Sequence, residues 1–339
     1  MKPRELGYRW PAEWEPHVAT WLAWPHNLET WPGKFAPVPP VFAEFVRTLA
    51  RFETVNVLAG GAAVMQQARQ YVDQLPNVQL WDIPTNDCWI RDHGPTFLSA
   101  GAQPPALLDW QYNAWGGKYP PYDQDNAVPA RIAEQTGRRR FALNVVLEGG
   151  SIEGNGRGSM LVNDACVLNT NRNASLTPAA AEAVFRDNLS IDHVIWLHNI
   201  DLVGDDTDGH IDQLARFANP HTVLYAACED ATDPNFASLA RLRAQLNDAV
   251  DQNGAPLQLR PLPIPSPLFQ DGQRLPASFC NFFVANGVVI VPLFDDPHDA
   301  TAMATLADCS PDREIVGIRA IDLVWGWGAF HCATQQEPA

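Results

Sequence analysis

Near the end of the sequence, one cysteine lies in a polar stretch rather than an apolar one. Cys332 follows His331 and precedes Thr334 and two glutamines in "AFHCATQQEPA". A thiolate is a strong nucleophile, and a cysteine with histidine and acidic partners elsewhere in the chain is a candidate catalytic residue. Because most buried cysteines are inert, a structural thiol is the alternative at this point.

The stretch "DGHID" offers a partner for such a thiol. His210 and Asp212 alternate, so on a β-strand their side chains would share one face, which suits an acid–base group beside a carboxylate. A structural hydrogen-bonded pair and a metal pair are the alternatives. A metal site needs three or four ligands at consistent spacing, and the sequence has no HxxxH motif or clustered Cys/His set. We therefore expect no metal.

A second acidic stretch, "NDCWIRDHGP", places two carboxylates and an indole around one turn. Asp87, Trp89 and Asp92 could together receive a cation, so we expect them to bind substrate. The alternative is a turn stabilised by its Asp side chains, with Arg91 and Asp92 in a local ion pair.

Two further stretches could contribute to a site. Glu148 follows the apolar run "NVVL" and is therefore expected at the end of a strand, although a simple loop is the alternative. The glycine-rich phrase after it lacks the lysine of a phosphate-binding loop. Trp115, in the aromatic stretch "YNAWGGKYPPYD", is expected to line the substrate pocket, although packing is the commoner role of such residues.

The elements that must position these residues alternate between helical and extended patterns. Apolar residues recur every three or four positions in some stretches, and short apolar runs separate them. We predict helices over residues 39–52, 62–76, 176–189, 234–250 and 296–309, and strands over 54–60 and 78–84.

Three segments resemble one another, over residues 159–170, 215–226 and 281–292. Each has an apolar run, a turn signal built on asparagine and a second apolar run, which is typical of a β-hairpin. A helix candidate follows each one. Such repeats favour a propeller-like or pseudo-symmetric array, in which polar phrases from different repeats meet near the axis. Chance similarity among common hairpins is the alternative.

The composition excludes some functional classes. Across 339 residues, 23 lysines and arginines stand against 39 aspartates and glutamates, a net charge of −16. Nucleic acid is not an expected partner, because phosphates demand a basic surface. We find no signal-peptide pattern and no apolar run of about 18 residues that would span a membrane. The six cysteines form no CxxC pair, which is typical of reduced thiols in a cytoplasmic protein.

Six phrases taken together give a resemblance that no single one carries: "NDCWIRDHGPTF", "EGGSIEGNGRG", "NTNRN", "DDTDGHID", "PASFCNFF" and "HCATQQ". In this order and spacing, the chain resembles the agmatine deiminase and bacterial peptidyl-arginine deiminase-like family of the guanidino-group modifying superfamily. The resemblance runs from about Trp14 to the last residue. It implies one catalytic domain over residues 1–339, with an α/β fold that is a five-fold pseudo-symmetric α/β-propeller of ββαβ units.

The resemblance also implies hydrolysis of a guanidinium group to a ureido group and ammonia, without a cofactor. By motif match, Cys332 is the expected nucleophile and His210 the expected acid–base residue. Asp92 and Asp212 are expected to bind the guanidinium nitrogens by charge-assisted hydrogen bonds. Glu148 is expected to orient His210.

The stretch before the cysteine departs from the usual family pattern. Agmatine deiminases usually have a glycine-rich run with an asparagine before "HC", whereas this chain has "VWGWGAFHC". We therefore expect a bulkier, more aromatic pocket wall over residues Trp325–Phe330. Arg172 would suit the carboxylate of an arginine substrate, but pairing with an internal acid is the favoured interpretation.

The expected partner is a small cationic guanidine. Agmatine, giving N-carbamoylputrescine and ammonia, is the expected substrate, and free arginine, an arginine derivative or peptidyl arginine are the alternatives. A Cys-His-Asp amidase and a non-catalytic guanidine- or polyamine-binding protein are the alternatives outside this class. The oligomeric state is open, with a homo-oligomer among the options.

Overall fold

One strand order is repeated in five sheets of the computed structural model, which describes residues 1–101 and 103–339. In each sheet, the first two strands run antiparallel, and the second pairs in parallel with a third. The first sheet also has a fourth strand, which is parallel to the third. A helix connects the two parallel strands. The fold is therefore the predicted set of five ββαβ units, as in an α/β-propeller.

The strands are short, as is usual in a sheet built from repeated units. They are β1 (His17–Ala23), β2 (Thr54–Leu58), β3 (Val78–Trp81), β4 (Thr96–Ala100), β5 (Gln103–Gln111), β6 (Arg139–Val146), β7 (Ile152–Gly154), β8 (Ser159–Asn163), β9 (His193–Leu197), β10 (Ala215–Asn219), β11 (Thr222–Ala227), β12 (Gln258–Pro263), β13 (Phe269–Gln270), β14 (Gln273–Arg274), β15 (Phe283–Ala285), β16 (Val288–Leu293), β17 (Glu314–Arg319) and β18 (Gln335–Pro338). The five sheets are β18–β1–β2–β3, β4–β5–β6, β7–β8–β9, β10–β11–β12 and β15–β16–β17.

The helices follow the predicted segments closely where the pattern is long. They are α1 (Val38–Leu49), α2 (Ala62–Val72), α3 (Ile90–His93), α4 (Ala114–Gly117), α5 (Asp123–Asn126), α6 (Val128–Thr136), α7 (Asp164–Val167), α8 (Pro178–Leu189), α9 (Phe236–Asp248), α10 (Asp299–Cys309) and α11 (Ile321–Val324). Single 3-10 turns occur at Arg4–Leu6, Gly149–Ser151, Ile211–Gln213 and Phe279–Asn281.

Helix α8 illustrates how local sequence sets these bounds. Thr177 accepts a hydrogen bond from the backbone N–H of Ala180, and Pro178 occupies the first helical position, where its missing N–H costs nothing. Ser190 ends the helix with a left-handed backbone, φ 60°. Such an N-cap contributes about 1 kcal/mol.

Two of the three predicted hairpins are confirmed, and one is wrong. The segments 215–226 and 281–292 form the antiparallel pairs β10–β11 and β15–β16. In the segment 159–170, however, Asn163 is not a turn residue: its side chain accepts from the backbone N–H of Ala165 and caps α7. The hairpin lies earlier, between β7 and β8, because Gly156 and Gly158 supply the positive φ that a tight turn needs.

The middle strands are buried along nearly their whole length. All residues of β8 are buried, as are all but the last of β11 and of β16. Strands covered on both faces read as continuous apolar runs rather than alternating ones, which explains why these segments were recognisable in the sequence. Apolar side chains from the sheets and from α1, α9 and α10 form the core.

The first sheet joins distant parts of the chain. Strand β18 pairs antiparallel with β1, with Trp21 opposite Gln335, so residues near 338 complete the unit that begins at His17. In the described residues, none of the helices has the length and apolar character needed to cross a bilayer.

Candidate active site

A pocket of about 690 Å³ leads from the surface to the cysteine at position 332. Its walls are largely aromatic, and several carboxylates line it. They include Glu29, Asp87, Trp89, Asp92, Tyr112, Trp115, Lys118, Tyr119, Asp125, Asp206, Trp327 and Cys332. Four of the residues expected in the site, Asp87, Trp89, Asp92 and Trp115, thus line the same pocket as the cysteine.

Asn281 holds the loop that carries Cys332. Its side-chain oxygen accepts from the backbone N–H groups of Ala329 and Cys332, at 3.2 and 3.3 Å. Its Nδ2 donates to Cys332 Sγ at 3.2 Å. A Cβ on Gly328 would lie 2.6 Å from the ring of Trp89, so only glycine allows the loop to pass this close. The thiol is therefore fixed in position.

When the pocket holds no cation, the surroundings of Cys332 favour the neutral thiol over the thiolate. Cys332 Sγ lies 3.5 Å from Asp212 Oδ2. Burial, followed by the negative charges of Asp212 and Asp92, raises the pKa of Cys332 well above its usual value. A cation placed beside these carboxylates would reverse the last two effects.

Asp92 is held on the short helix α3 with both oxygens occupied. Asp92 Oδ1 accepts from the backbone N–H of Gly150 at 2.9 Å, and Oδ2 accepts from Trp115 Nε1 at 3.0 Å. Burial raises its pKa. Asp92 does not form a local ion pair with Arg91, because Arg91 donates instead to Gln335 and Gln336.

His210 and Asp212 do not lie on a strand, which corrects the sequence interpretation. Residues Ile211–Gln213 form a 3-10 turn. The backbone curvature of this turn, and not the alternation of side chains along a strand, brings the two side chains to the same site. His210 Nδ1 lies 3.7 Å from Asp92 Oδ1, and His210 Nε2 lies 3.5 Å from Glu148 Oε2. Neither ring nitrogen has a hydrogen-bond partner within the described residues.

The surroundings of His210 favour its charged form. Burial lowers its pKa, but Asp92, the Cys166 thiol and Glu148 outweigh burial, so that the pKa of His210 is raised well above its usual value. These groups converge closely: a Cβ on Gly150 would lie 2.6 Å from His210 Nδ1, 2.8 Å from Asp92 Oδ1 and 3.1 Å from Asp212 Oδ2. Glycine at position 150 is what allows the three side chains to meet.

Asp212 is the second carboxylate beside the sulfur. Its Oδ2 lies 2.7 Å from His331 Nδ1, whereas its buried Oδ1 has no hydrogen-bond partner in the described part of the chain. Burial opposes ionisation, but the hydrogen bond and charge of His331 keep the pKa of Asp212 below its usual value. One ionised oxygen is thus left free to accept a hydrogen bond beside Cys332.

Glu148 lies two residues beyond β6, at a strand end as expected, and is shared between two cations. Arg172 Nε donates to Glu148 Oε1 at 2.8 Å, which is the internal pairing favoured for this arginine. Although burial acts in the other direction, His210 and Arg172 lower the pKa of Glu148.

One group of donors could geometrically hold a metal ion. Glu148, Cys166 and His210 each have one donor atom within 4.8 Å of the others. However, Glu148 is already neutralised by Arg172 at 2.8 Å, so a dication would meet a guanidinium beside its only carboxylate ligand. The arrangement is better suited to holding a proton than to holding a metal.

Two more carboxyl groups lie in the outer pocket. Asp87 accepts from Thr30 Oγ1 at 2.6 Å and from the backbone N–H of Cys88 at 2.7 Å. Asp125 accepts from the backbone N–H of Asn86 at 2.7 Å. Mainly through burial, the pKa of Asp87 is raised to about 6 and that of Asp125 to about 7.

The expected aromatic wall over Trp325–Phe330 is only partly correct. Trp327 lines the pocket together with Gly326 and Gly328. Phe330 instead packs in the core, 4.6 Å from the ring of Phe45, and Lys34 covers Trp325. The wall is therefore less bulky than the residue types suggested.

The sequence interpretation missed three residues of this region: Glu13, Asn281 and Asp125. Asn281 stands inside the motif phrase "PASFCNFF", and Asp125 lies two residues beyond the aromatic stretch "YNAWGGKYPPYD", so each has a signal in or beside a phrase of interest. Glu13 has no such local signal, because its partners come from distant segments.

The geometry has counterparts among known proteins. Residues 9–338 match the Porphyromonas-type peptidyl-arginine deiminase family. The chain belongs to this family. The relatives include the agmatine deiminase of Pseudomonas putida strain F1, 37% identical over 99% of this chain and 97% of that protein.

Solved structures of the family have the same fold. The agmatine deiminase of Enterococcus faecalis superposes with a TM-score of 0.93 at 31% identity, covering 99% of this chain and 97% of the other. A substrate-bound variant of the C. jejuni agmatine deiminase gives 0.89 at 31% identity, covering 97% and 96%. The match to the family therefore spans residues 9–338, which include every segment that contributes to the pocket.

Proposed function

We propose that this protein is an agmatine deiminase, which hydrolyses agmatine to N-carbamoylputrescine and ammonia through a covalent intermediate on Cys332. The observation that carries the proposal is the convergence of two carboxylates and an imidazole on the thiol. Asp212 Oδ2 lies 3.5 Å from Cys332 Sγ, and Asp92, Asp212 and His210 crowd around Gly150. The names of the relatives point to the same reaction.

Binding comes first in this mechanism. A guanidinium is planar and presents several N–H donors in fixed directions, and carboxylates bind it by charge-assisted hydrogen bonds. The unpartnered Oδ1 of Asp212 is a suitable acceptor. Asp92, already held by Trp115 and Gly150, supplies a second negative charge. Together they hold the guanidinium carbon near the sulfur.

The bound cation would also activate the nucleophile. Negative charge on Asp92 and Asp212 contributes to the high pKa of Cys332. A guanidinium neutralises that charge and favours the thiolate. Ionisation of the thiol is therefore coupled to substrate binding.

The first chemical step forms a C–S bond and breaks a C–N bond. The thiolate attacks the guanidinium carbon to give a tetrahedral adduct. Protonated His210 gives its proton to the departing nitrogen, which leaves as ammonia, and the substrate remains on sulfur as an S-alkylthiouronium. Glu148, 3.5 Å from His210 Nε2, stabilises the imidazolium that this step requires.

The second step reverses these roles. Neutral His210 accepts a proton from water, and the resulting hydroxide adds to the thiouronium carbon. The C–S bond then breaks and the hydroxyl group of the adduct loses its proton to solvent, so that the neutral ureido product leaves and the thiolate is regenerated. One water is consumed and one ammonia is released for each agmatine.

The outer pocket favours an amine over a carboxylate at the far end of the substrate. Glu29, Asp87, Asp125 and Asp206 line it. Lys118 also lines it, but its ammonium hydrogen bonds to Asp208 at 3.0 Å, and Arg172 is bound by Glu148. The α-carboxylate of free arginine would therefore enter a negative field, whereas the primary amine of agmatine would be attracted by it.

Ammonia release from the purified protein tests this proposal. Agmatine, free arginine and a blocked arginyl peptide would be compared at equal concentration. We expect kcat/KM for agmatine to exceed that for the others by at least about 10³-fold, as charge complementarity at a buried site allows. Turnover of arginine or of the peptide instead would keep the mechanism but change the substrate. Tight agmatine binding without turnover would favour the non-catalytic alternative.

A further inference from the structure

A buried cluster of charged side chains lies behind Cys332, and the mechanism above does not use it. It consists of Glu13, Arg91, Glu153, Arg216 and His331, which we call the Glu13 cluster. Each of its members is at most 6% exposed. Ionised groups are costly to bury unless they are paired. A functional role would account for a charged cluster beneath the site.

His331 connects the cluster to the site. Its Nδ1 lies 2.7 Å from Asp212 Oδ2, and its Nε2 lies 2.9 Å from Glu13 Oε2. An ionised carboxylate can only accept hydrogen bonds, and a neutral imidazole has only one N–H to donate. With carboxylates at both ring nitrogens, His331 satisfies both partners only as the imidazolium.

The charges in the cluster support the same assignment. Burial opposes ionisation of Glu13, but Arg216 and His331 hold its pKa well below the usual value. The pKa of Asp212 is also below its usual value. The two carboxyls that face the ring of His331 therefore both favour the ionised form, which accepts hydrogen bonds and donates none.

Glu13 itself is fixed from three directions. Arg216 Nη2 lies 2.8 Å from Glu13 Oε1, and Arg91 Nη2 lies 3.4 Å from Oε2. The backbone N–H of Val284 also donates to Oε1 at 2.8 Å. A carboxylate held in this way cannot turn away from His331, so its charge acts on that imidazole permanently.

A charge on His331 would act on the sulfur of Cys332 through the side chain of Asp212. The oxygen of Asp212 that accepts from His331 is the one that lies 3.5 Å from Cys332 Sγ. A positive charge on His331 thus offsets the charge of Asp212, which would otherwise oppose formation of the thiolate. It also fixes the carboxylate so that its other oxygen stays available to substrate.

We propose that Glu13 is a positioning residue that keeps His331 protonated, and that this imidazolium orients Asp212 and eases ionisation of Cys332. The proposal rests on the proposed function only in taking Cys332 as the nucleophile. The charged and titratable groups around this pair that bear on its pH dependence are Glu13, Arg91, Asp92, Glu153, His210, Asp212 and Arg216.

The chain provides a matched pair of variants. Glu13 and Glu153 are both buried, and each lies 2.8 Å from the guanidinium of Arg216. Glu13 contacts His331, whereas the side chain of Glu153 bonds to Arg216 and to the backbone N–H of Phe217. Glu13→Gln and Glu153→Gln therefore each remove a carboxyl group from the same arginine, but only the first removes a carboxyl group from the ring of His331.

Alkylation of Cys332 by iodoacetamide, without any substrate, gives the readout. Its rate against pH reports thiolate formation, and mass spectrometry of digested protein isolates the Cys332 peptide, with the half-exposed Cys228 and Cys309 as internal references. We expect Glu13→Gln to shift the pH profile of Cys332 alkylation to higher pH by about one unit or more. At pH 7.5 the alkylation rate would then be roughly tenfold lower than in the wild type. Glu153→Gln should leave the profile in place. Equal profiles in the two variants would overturn the proposal.

A measurement on the unmodified protein covers the case in which Glu13→Gln does not fold. The ring nitrogens of His331, observed by ¹⁵N NMR and assigned through contacts with neighbouring residues, should both be protonated at pH 7.5. A neutral ring would overturn the proposal whatever the variants do. Because neither readout involves agmatine, a failure here is distinguishable from a failure of the proposed reaction.

Discussion

The deep end of the pocket and its mouth hold acidic groups in different ways. At the deep end, His210 and Arg172 lower the pKa of Glu148, and the hydrogen bond from His331 lowers that of Asp212. Asp92 is the exception there, because it is held by N–H groups and burial raises its pKa. At the mouth, Asp87 and Asp125 are held by a hydroxyl and by backbone N–H groups, and their pKa values are raised to about 6 and about 7. Two carboxylates of the deep end thus have partners that favour their charged form before any substrate arrives, whereas at the mouth the proposed substrate would supply the cation.

The largest expected effect is a loss of kcat with little change in agmatine binding. Replacing Cys332 with alanine removes the nucleophile but leaves the carboxylates of both regions, so kcat should fall by at least about 10⁴-fold. Agmatine binding, measured by calorimetry, should stay within about tenfold of the wild-type value. Cys228→Ala, a half-exposed thiol elsewhere, is the control and should retain full activity. Substantial turnover by the alanine variant would remove Cys332 from the mechanism.

The second effect belongs to the deep end alone. Asp92→Asn keeps the shape of the side chain but removes one of the two charges that face the guanidinium, and we expect kcat/KM for agmatine to fall about 10³-fold. Asp109→Asn, which disturbs the pair of this buried carboxylate with the exposed Arg140 outside the pocket, should change it less than about threefold. A mild effect of Asp92→Asn would instead suit an amidase, whose neutral carbonyl substrate needs no such carboxylate.

The third effect belongs to the mouth and should appear in KM. As pH rises from about 5.5 to 8, Asp87 and Asp125 lose their protons, since their pKa values are about 6 and about 7. Agmatine KM should fall over this range, because its terminal amine meets more negative charge. Asp125→Asn should raise KM at pH 8 by about tenfold, with kcat nearly unchanged.

The control for this variant lies on the same short helix. Asp123 is exposed, whereas Asp125 is buried, so Asp123→Asn should leave both KM and its pH dependence as in the wild type. If steady-state kinetics showed a loss of kcat rather than a rise in KM for Asp125→Asn, the distinction between mouth and deep end would fail.

The last effect is on stability rather than on activity and has the opposite sign. The folded-state pKa of Asp125, about 7, is above that of an ordinary aspartate. The stability that this shift contributes is complete below about pH 4 and is lost as pH rises through 7. The unfolding free energy of Asp125→Asn minus that of wild type should therefore increase by on the order of 2 kcal/mol from pH 5 to pH 8.

Urea unfolding at the two pH values measures this gain, again with Asp123→Asn as the control. A gap between Asp125→Asn and wild type that does not change with pH would mean that Asp125 titrates as an ordinary carboxyl. The expected combination, weaker binding with a relative gain in stability as pH rises, would mark the mouth as a region where stability is given up for affinity.

Much of the fold could be predicted because its elements have strong local signals. The apolar runs in β11 and β16, their asparagine turns and the capped start of α8 are all visible in short windows. Asn163 misled the prediction because asparagine serves equally well as a turn residue and as a helix cap, and only the pairing of β7 with β8 decides between them.

The residues of the site were easier to find than their geometry. The motif phrases identified Asp92, Glu148, His210 and Cys332, which the fold brings to one place. The strand assumed for His210 was wrong, since alternation of polar residues does not distinguish a strand from a 3-10 turn over three positions. Glu13 could not be identified, because its partners Arg91, Arg216 and His331 reach it only through tertiary structure.

The pairing of β18 with β1 has a consequence for how the protein is made. A ribosome synthesises β1 more than 300 residues before β18, as the numbering of the two strands shows, and Cys332 is made only just before β18. A nascent chain can form most of its sheets while its first unit still lacks an edge strand. Asp92, Asp212 and Asn281, which lie near Cys332 in the fold, are all made before it. These side chains can therefore surround the thiol only after the chain has been made as far as residue 332.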